Sequence, residues 1–115
     1  MTIEELLKQH EATCDKARSI MRAKNSDYTA GSGDPFANFR ASEALGVPAV
    51  VSLLIRVMDK LQRIRSFATL GQLQVKDESV DDAIQDVVNY MILCQGLLVE
   101  KRLEVAERGR ISVKE

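Results

Sequence analysis

Glu78-Ser-Val-Asp-Asp-Ala-Ile-Gln-Asp-Val-Val-Asn-Tyr90 is where this chain concentrates its chemistry. On a helix, Glu78, Asp82, Asp86 and Asn89 are spaced four, four and three apart, so their side chains share one face. Val80, Ile84, Val87, Val88 and Met91 fall on the other side. Like charges four residues apart destabilise an isolated helix by roughly 0.2–0.5 kcal/mol per pair. A row of carboxylates is therefore either a solvated face or one held by something cationic above it.

The preceding segment supplies a cation. Pro48 can start a helix that runs to about Thr69 and stops at Gly71. Val50, Leu53, Leu54, Val57, Leu61, Ile64 and Ala68 form its apolar side, while Arg56, Asp59, Lys60 and Arg63 make a polar stripe opposite. Three cations with one carboxylate can be a solvated face. They are also what a polyanion site needs, because Arg and Lys bind phosphate through charge-assisted hydrogen bonds. Gln72 to Asp77 is a short connection, and Asp77 or Ser79 can cap the final helix. Past Met91, the residues Leu93, Cys94, Leu97, Leu98 and Val99 spread around most of the circumference, so they need cover on several sides. Self-association is the natural cover for so few helices. A frayed, charged tail is expected from about residue 108.

Toward the N-terminus, Thr2-Ile-Glu-Glu5 reads as a capping box. Ile3, Leu6, Leu7, Cys14, Ala17, Ile20 and Met21 then recur at helical spacing up to about Lys24. Asn25 to Pro35 holds the densest turn chemistry and reads as the longest loop. Asp34-Pro35 looks like an N-cap and first-turn proline, opening a short helix from Phe36 to Leu45 that stops at Gly46. Tyr28, Phe36 and Phe39 either wall a pocket edge or point into the core.

With 115 residues the chain is one domain, and 45% apolar with 29% charged residues is ordinary globular composition. Scarce aromatics, at 4%, beside abundant Leu, Val, Ala, Glu, Lys and Arg favour packed helices. A net charge of -1 argues against a dedicated nucleic-acid binder. Cys14 and Cys94 are far apart and His10 is the one imidazole, so neither a zinc site nor a disulfide framework is expected. No secretory signal or membrane-length apolar run is visible, and a cytoplasmic protein is expected.

Four pieces in this order form a pattern: Lys24-Asn-Ser-Asp27-Tyr28, Phe36-Ala-Asn38, Arg56-x-x-Asp59-Lys60-x-x-Arg63, and Glu78-x-x-x-Asp82-x-x-x-Asp86-x-x-Asn89-Tyr90. Over about residues 24–95 it resembles the nucleotide modification associated domain 1 family, often found in phages and related to the MazG-like all-α nucleotide pyrophosphohydrolases. The resemblance implies a helical bundle that handles a nucleotide, with acids of the last helix holding Mg²⁺. Asp82 and Asp86 are then the candidate metal ligands, with Glu78 a third acid, and the same three are the candidate catalytic residues. Lys24, Asp27, Tyr28, Phe36 and Asn38 are candidate nucleotide contacts, as are Arg56, Asp59, Lys60 and Arg63. Asn89 and Tyr90 would shape the site. One departure stands out: where MazG-like enzymes carry Glu-x-x-Glu, this chain offers Asp59 followed by Lys60 and flanked by Arg56 and Arg63. Those cations can stabilise phosphate charge in a transition state, or replace a metal and leave a site that binds without cutting.

The expectation is an all-α bundle of three main helices and one short one, a single domain over 1–115, completed by homo-oligomerisation. It binds a phosphorylated nucleotide between two charged helix faces. As an enzyme it would be a Mg²⁺-dependent nucleoside triphosphate pyrophosphohydrolase. The alternatives are a nucleotide-sequestering protein, for example a phage anti-defence protein, and an interaction module whose charged stripes pair with each other.

Overall fold

The structure, a computed structural model, describes residues 1–29, 33–71 and 79–114, with side chains over 1–25, 33–71 and 79–109. Within them the chain is all-α, as its composition and periodicity require. It folds as α1 (Ile3–Thr29), a one-turn α2 (Ala37–Arg40) continued by a 3₁₀ turn (Ala41–Leu45), α3 (Ala49–Leu70) and α4 (Val80–Lys114). Among the described residues no single helix is long and apolar enough to cross a membrane.

The local signals that start and stop these helices act as the side chains dictate. The Thr2 N–H donates to Glu5 Oε2 at 2.7 Å, and the Glu5 N–H to Thr2 Oγ1 at 3.2 Å, closing the capping box of α1. Asp34 accepts from the Phe36 N–H through its side chain and from the Ala37 N–H through its carbonyl, which turns the chain into α2. Gly46 and Gly71 end the 3₁₀ turn and α3 with φ of 79° and 74°, a left-handed conformation that costs a side-chain-bearing residue about 1–2 kcal/mol. Ser79 begins α4 by reciprocal bonds with Asp82, one residue before the first helical turn.

Three boundaries differ from the sequence expectation. α1 runs through Asn25, Ser26, Asp27 and Tyr28 to Thr29 instead of ending near Lys24, since each of these residue types costs less than about 1 kcal/mol when it extends a helix already nucleated over many turns. The segment Phe36 to Leu45 is two short pieces of different pitch, not one helix. α4 continues through Gly109 to Lys114, past the expected fraying point; one glycine costs only about 1 kcal/mol in a helix already nucleated over many turns.

α4 is the shared element. It forms an antiparallel hairpin with α3, and Phe36, Phe39, Ala49, Leu53, Val57 and Leu97 close the core at that junction. Leu53 is wholly buried. Gly96 lets the Phe36 ring lie on the α4 backbone, since a Cβ there would come within 2.8 Å of Phe36 Cζ. On its other side α4 meets α1 through amides. Gln85 Nε2 donates to the Thr13 carbonyl and Asn89 Nδ2 to the Ala17 carbonyl, both at 3.0 Å. Equal steps of four on both helices make α1 and α4 run parallel. The packing face of α4 is thus Ala83, Asn89, Tyr90, Leu93 and Leu97, and it is not the expected one. Ile84 and Met91 stay 42% and 41% exposed, because α1 and α3 both approach the side that carries Asp86 and Asn89.

Candidate functional site

The polar row of α4 does not face open solvent. Asp86 lies in the angle between α1 and α3, where its Oδ2 is 3.0 Å from Lys60 Nζ and its Oδ1 is 3.5 Å from Lys24 Nζ. Lys60 and Asp86 side chains are mostly buried, at 16% and 19% exposure, while Lys24 is half exposed. Burial makes this carboxylate dependent on its lysines, because a desolvated charge is tolerated only when paired and hydrogen-bonded. The two charged stripes of the sequence therefore do meet, with Asp86 between two ammonium groups.

Beside this triad opens a cleft of about 100 Å³. Met21, Lys24 and Asn25 of α1 form one wall, and Tyr90 and Leu93 of α4 form the floor. Asn38 and Phe39 of α2 face Arg56 of α3 across the rest. The Phe39 and Tyr90 rings meet edge to face, with centroids 6.2 Å apart and planes at 81°. The Arg56 guanidinium carbon lies 4.9 Å from the Phe39 ring centroid, so a cation is stacked on the aromatic wall. Arg40 fixes the α2 side: its Nε donates to Asp34 at 2.9 Å and its Nη2 to Glu100 of α4 at 2.5 Å. Those two carboxylates hold its pKa above the ordinary guanidinium value.

The candidate residues divide by what they touch. Lys24, Asn38, Arg56 and Tyr90 line the cleft, and Lys60 and Asp86 stand at its edge through the shared lysine pair. Phe36 is a core residue, pressed against Gly96 with Arg40 over its ring. Asp59 is exposed and paired with Arg63 one turn on, at 3.4 Å. Asn89 is buried; its amide clamps α1, and its Oδ1 has no hydrogen-bond partner among the described residues. Asp82 turns back on its own helix. Its Oδ2 accepts from the Ser79 N–H at 3.3 Å while its N–H donates to Ser79 Oγ at 3.1 Å. The Ser79 hydroxyl and N–H hold the Asp82 carboxyl below its ordinary range, with Lys16 and Lys60 adding to the effect. Glu78 lies outside the described residues, as do the side chains of Asp27 and Tyr28.

Phe39, one of the three aromatics expected either at a pocket edge or in the core, serves as both: it is buried in the core cluster and forms the cleft wall under Arg56. Two contacts escaped the sequence reading. Arg40 and Glu100 pair across 60 positions, which leaves no local pattern to find. Gln85 lies inside the 78–90 stretch, yet an amide on a helix is silent until its partner carbonyl is known.

A Mg²⁺ site needs oxygen ligands free to coordinate. Asp82 caps α4, each Asp86 oxygen faces an ammonium group, and the described residues contain no group of three His, Cys, Asp or Glu placed to hold a metal ion. Of the three candidate acids, Asp82 and Asp86 are thus engaged by protein partners, and Glu78 lies outside the described residues. What the cleft offers is the cations Lys24 and Arg56, two amides, an aromatic wall and, on its α2 side, the Asp34 carboxylate paired with Arg40.

Comparison with known proteins adds one match. The model of the nucleotide modification associated domain 1 family covers residues 24–95, well over half of the chain, so the chain belongs to that family. No curated protein and no solved structure matches it.

Proposed function

We propose that this member of the nucleotide modification associated domain 1 family binds a phosphorylated nucleotide in the cleft between α1, α2, α3 and α4 and holds it without cutting it. The observation that carries the reading is the pairing of Asp86 with Lys24 and Lys60 beside a cleft walled by Phe39, Tyr90 and Arg56. Two ammonium groups converging on one carboxylate form a cradle for an anion. A phosphate group carries more charge and more acceptor oxygens than the carboxylate it would displace. The cleft is small beside the roughly 300–1,000 Å³ that encloses a drug-sized ligand. It suits one planar ring, with the rest of the nucleotide along its edge. Tyr90 offers that ring an aromatic face, and the Asn38 amide offers both a donor and an acceptor to its polar edge.

Binding is favoured over hydrolysis by the state of the acids. A metal-dependent pyrophosphohydrolase needs carboxylates that hold Mg²⁺ and lower the pKa of its water. Asp82 is engaged in a helix cap and Asp86 in two ion pairs.

The test is a panel of nucleoside mono-, di- and triphosphates screened for thermal stabilisation with and without Mg²⁺, with product analysis of every hit. A ligand present at 100 times its Kd stabilises by about 2.7 kcal/mol, a readily visible shift. Stabilisation with no product supports the binding reading. Turnover that requires Mg²⁺ would select the pyrophosphohydrolase instead. No stabilisation by any nucleotide would reduce the charged stripes to an internal ion network.

A further inference from the structure

We propose that the outer face of the α3–α4 hairpin is the contact surface for a second copy of this chain, arranged about a two-fold axis near residues 94 and 95 of α4. On α3, Val51, Leu54, Ile55, Met58 and Leu61 follow helical spacing on the side turned away from the core residues Leu53 and Val57. On α4, Ile84, Met91, Leu98 and Val105 recur every seven residues, with Ile92 and Val99 beside them. A seven-residue repeat of this kind is the seam of helices that pack along one another. The two stripes adjoin, since Val51 and Leu98 line one groove.

The size of the face calls for a partner. These eleven side chains are each between 40% and 63% exposed, and together they present on the order of 1,000 Å² of surface. One side of a standard-size interface is about 800 Å², whereas the largest apolar patch of a typical monomer is about 300–600 Å².

The sequence of the stripe says the partner is the same chain. In an antiparallel pair centred between residues 94 and 95, Met91 of one copy meets Leu98 of the other, and Ile84 meets Val105. Each large apolar residue then faces another, as an isologous contact requires. The stripe between Ile84 and Leu98 carries no acid, and Gln95 stands at its centre. Two antiparallel hairpins laid face to face make a four-helix bundle, which buries both stripes at once. The cleft opens on the other side of the hairpin, toward α1, so this inference stands independently of the nucleotide reading.

Light scattering of the full chain at micromolar concentration tests it first. A particle of twice 12.8 kDa is expected, and a monomer would overturn the proposal. Met91→Glu should raise the dissociation constant by roughly 100-fold or more, because an unpaired carboxylate is buried twice in a two-fold contact. Circular dichroism checks that the variant remains helical. Should it unfold, Gln95→Cys in a Cys14→Ala, Cys94→Ala background replaces it. Mild oxidation should convert that variant to a covalent dimer. Its staying uncrosslinked in a sample that is dimeric by light scattering would overturn the antiparallel arrangement.

Discussion

Along its α3 side α4 buries Leu97 against Leu53, Val57, Phe36 and Phe39, whereas along its α1 side it buries Ala83, Gln85 and Asn89 around Ala17 and hangs on two amide hydrogen bonds. The first seam is built from carbon and rests on the hydrophobic effect, at about 25 cal/mol per Å² buried. The second buries little apolar area, and each of its hydrogen bonds is worth only about 0.5–1.5 kcal/mol net. The hairpin is thus the foundation and α1 the attached part. The cleft lies where the two seams meet. Lys24 comes from the weakly held helix, and Arg56, Lys60 and Asp86 come from the strongly held pair. A ligand that bridges them would fasten α1 to the hairpin, so binding and local order should rise together.

The largest effect should follow from attacking the carbon seam. Leu53→Ala removes a fully buried side chain at the centre of the core and should destabilise the protein by about 2–5 kcal/mol in chemical denaturation. A loss under 1 kcal/mol would mean that the α3–α4 seam is not the foundation. Next in size is Lys60→Ala, which removes one of the two cations that face Asp86. Affinity for the nucleotide found in the screen should drop by about 1.5–3 kcal/mol. If only the melting temperature falls and affinity holds, the lysine is structural and its phosphate role is retired.

The amide seam should yield less. Asn89→Ala deletes the clamp on the Ala17 carbonyl but also removes an acceptor that has no partner among the described residues, so the two changes oppose each other. The net cost should be below about 1.5 kcal/mol and local. Hydrogen exchange should speed up in α1 and stay unchanged in α3. Faster exchange spread evenly over all the helices would erase the distinction between the seams. The smallest effect is that of pH on the α4 cap. The Asp82 carboxyl lies below its ordinary 3.8 because Ser79 bonds favour the charged form. The stability it adds is present above that ordinary value and is lost as the pH falls through the lowered one. An acid titration should therefore show the gap between wild type and Ser79→Ala narrowing as the pH falls below about 4, down to the pH-independent part that the Ser79 Oγ cap on the Asp82 N–H contributes.

Much of this was legible in the sequence, and the reasons are physical. Capping residues act over three or four positions, so the Thr2–Glu5 box, the Asp34 turn, Gly46, Gly71 and Ser79 could be read locally. The meeting of Lys60 with Asp86 was legible because two neighbouring helices carried opposite stripes. What could not be read was which side of α4 packs. Its apolar stripe through Ile84 and Met91 looks like a core face by periodicity, yet the chain folds with Asp86 and Asn89 inward and that stripe outward. Helical periodicity reports an apolar side without saying whether this chain or another one covers it. Asp82 misled for a related reason. A carboxylate three residues after a serine is equally a cap and a ligand until its direction is known.

Whether the cleft holds its nucleotide without metal or turnover is decided by titration calorimetry of wild type and Asp86→Asn with the nucleotide found in the screen, each run with Mg²⁺ and again with chelator. Asp86→Asn removes the charge that competes with phosphate for Lys24 and Lys60 and leaves the shape intact. Binding should survive the substitution or tighten, be indifferent to chelator, and yield no product with wild type. Binding that vanishes with chelator and with Asp86→Asn, while wild type releases product in Mg²⁺, would contradict this account.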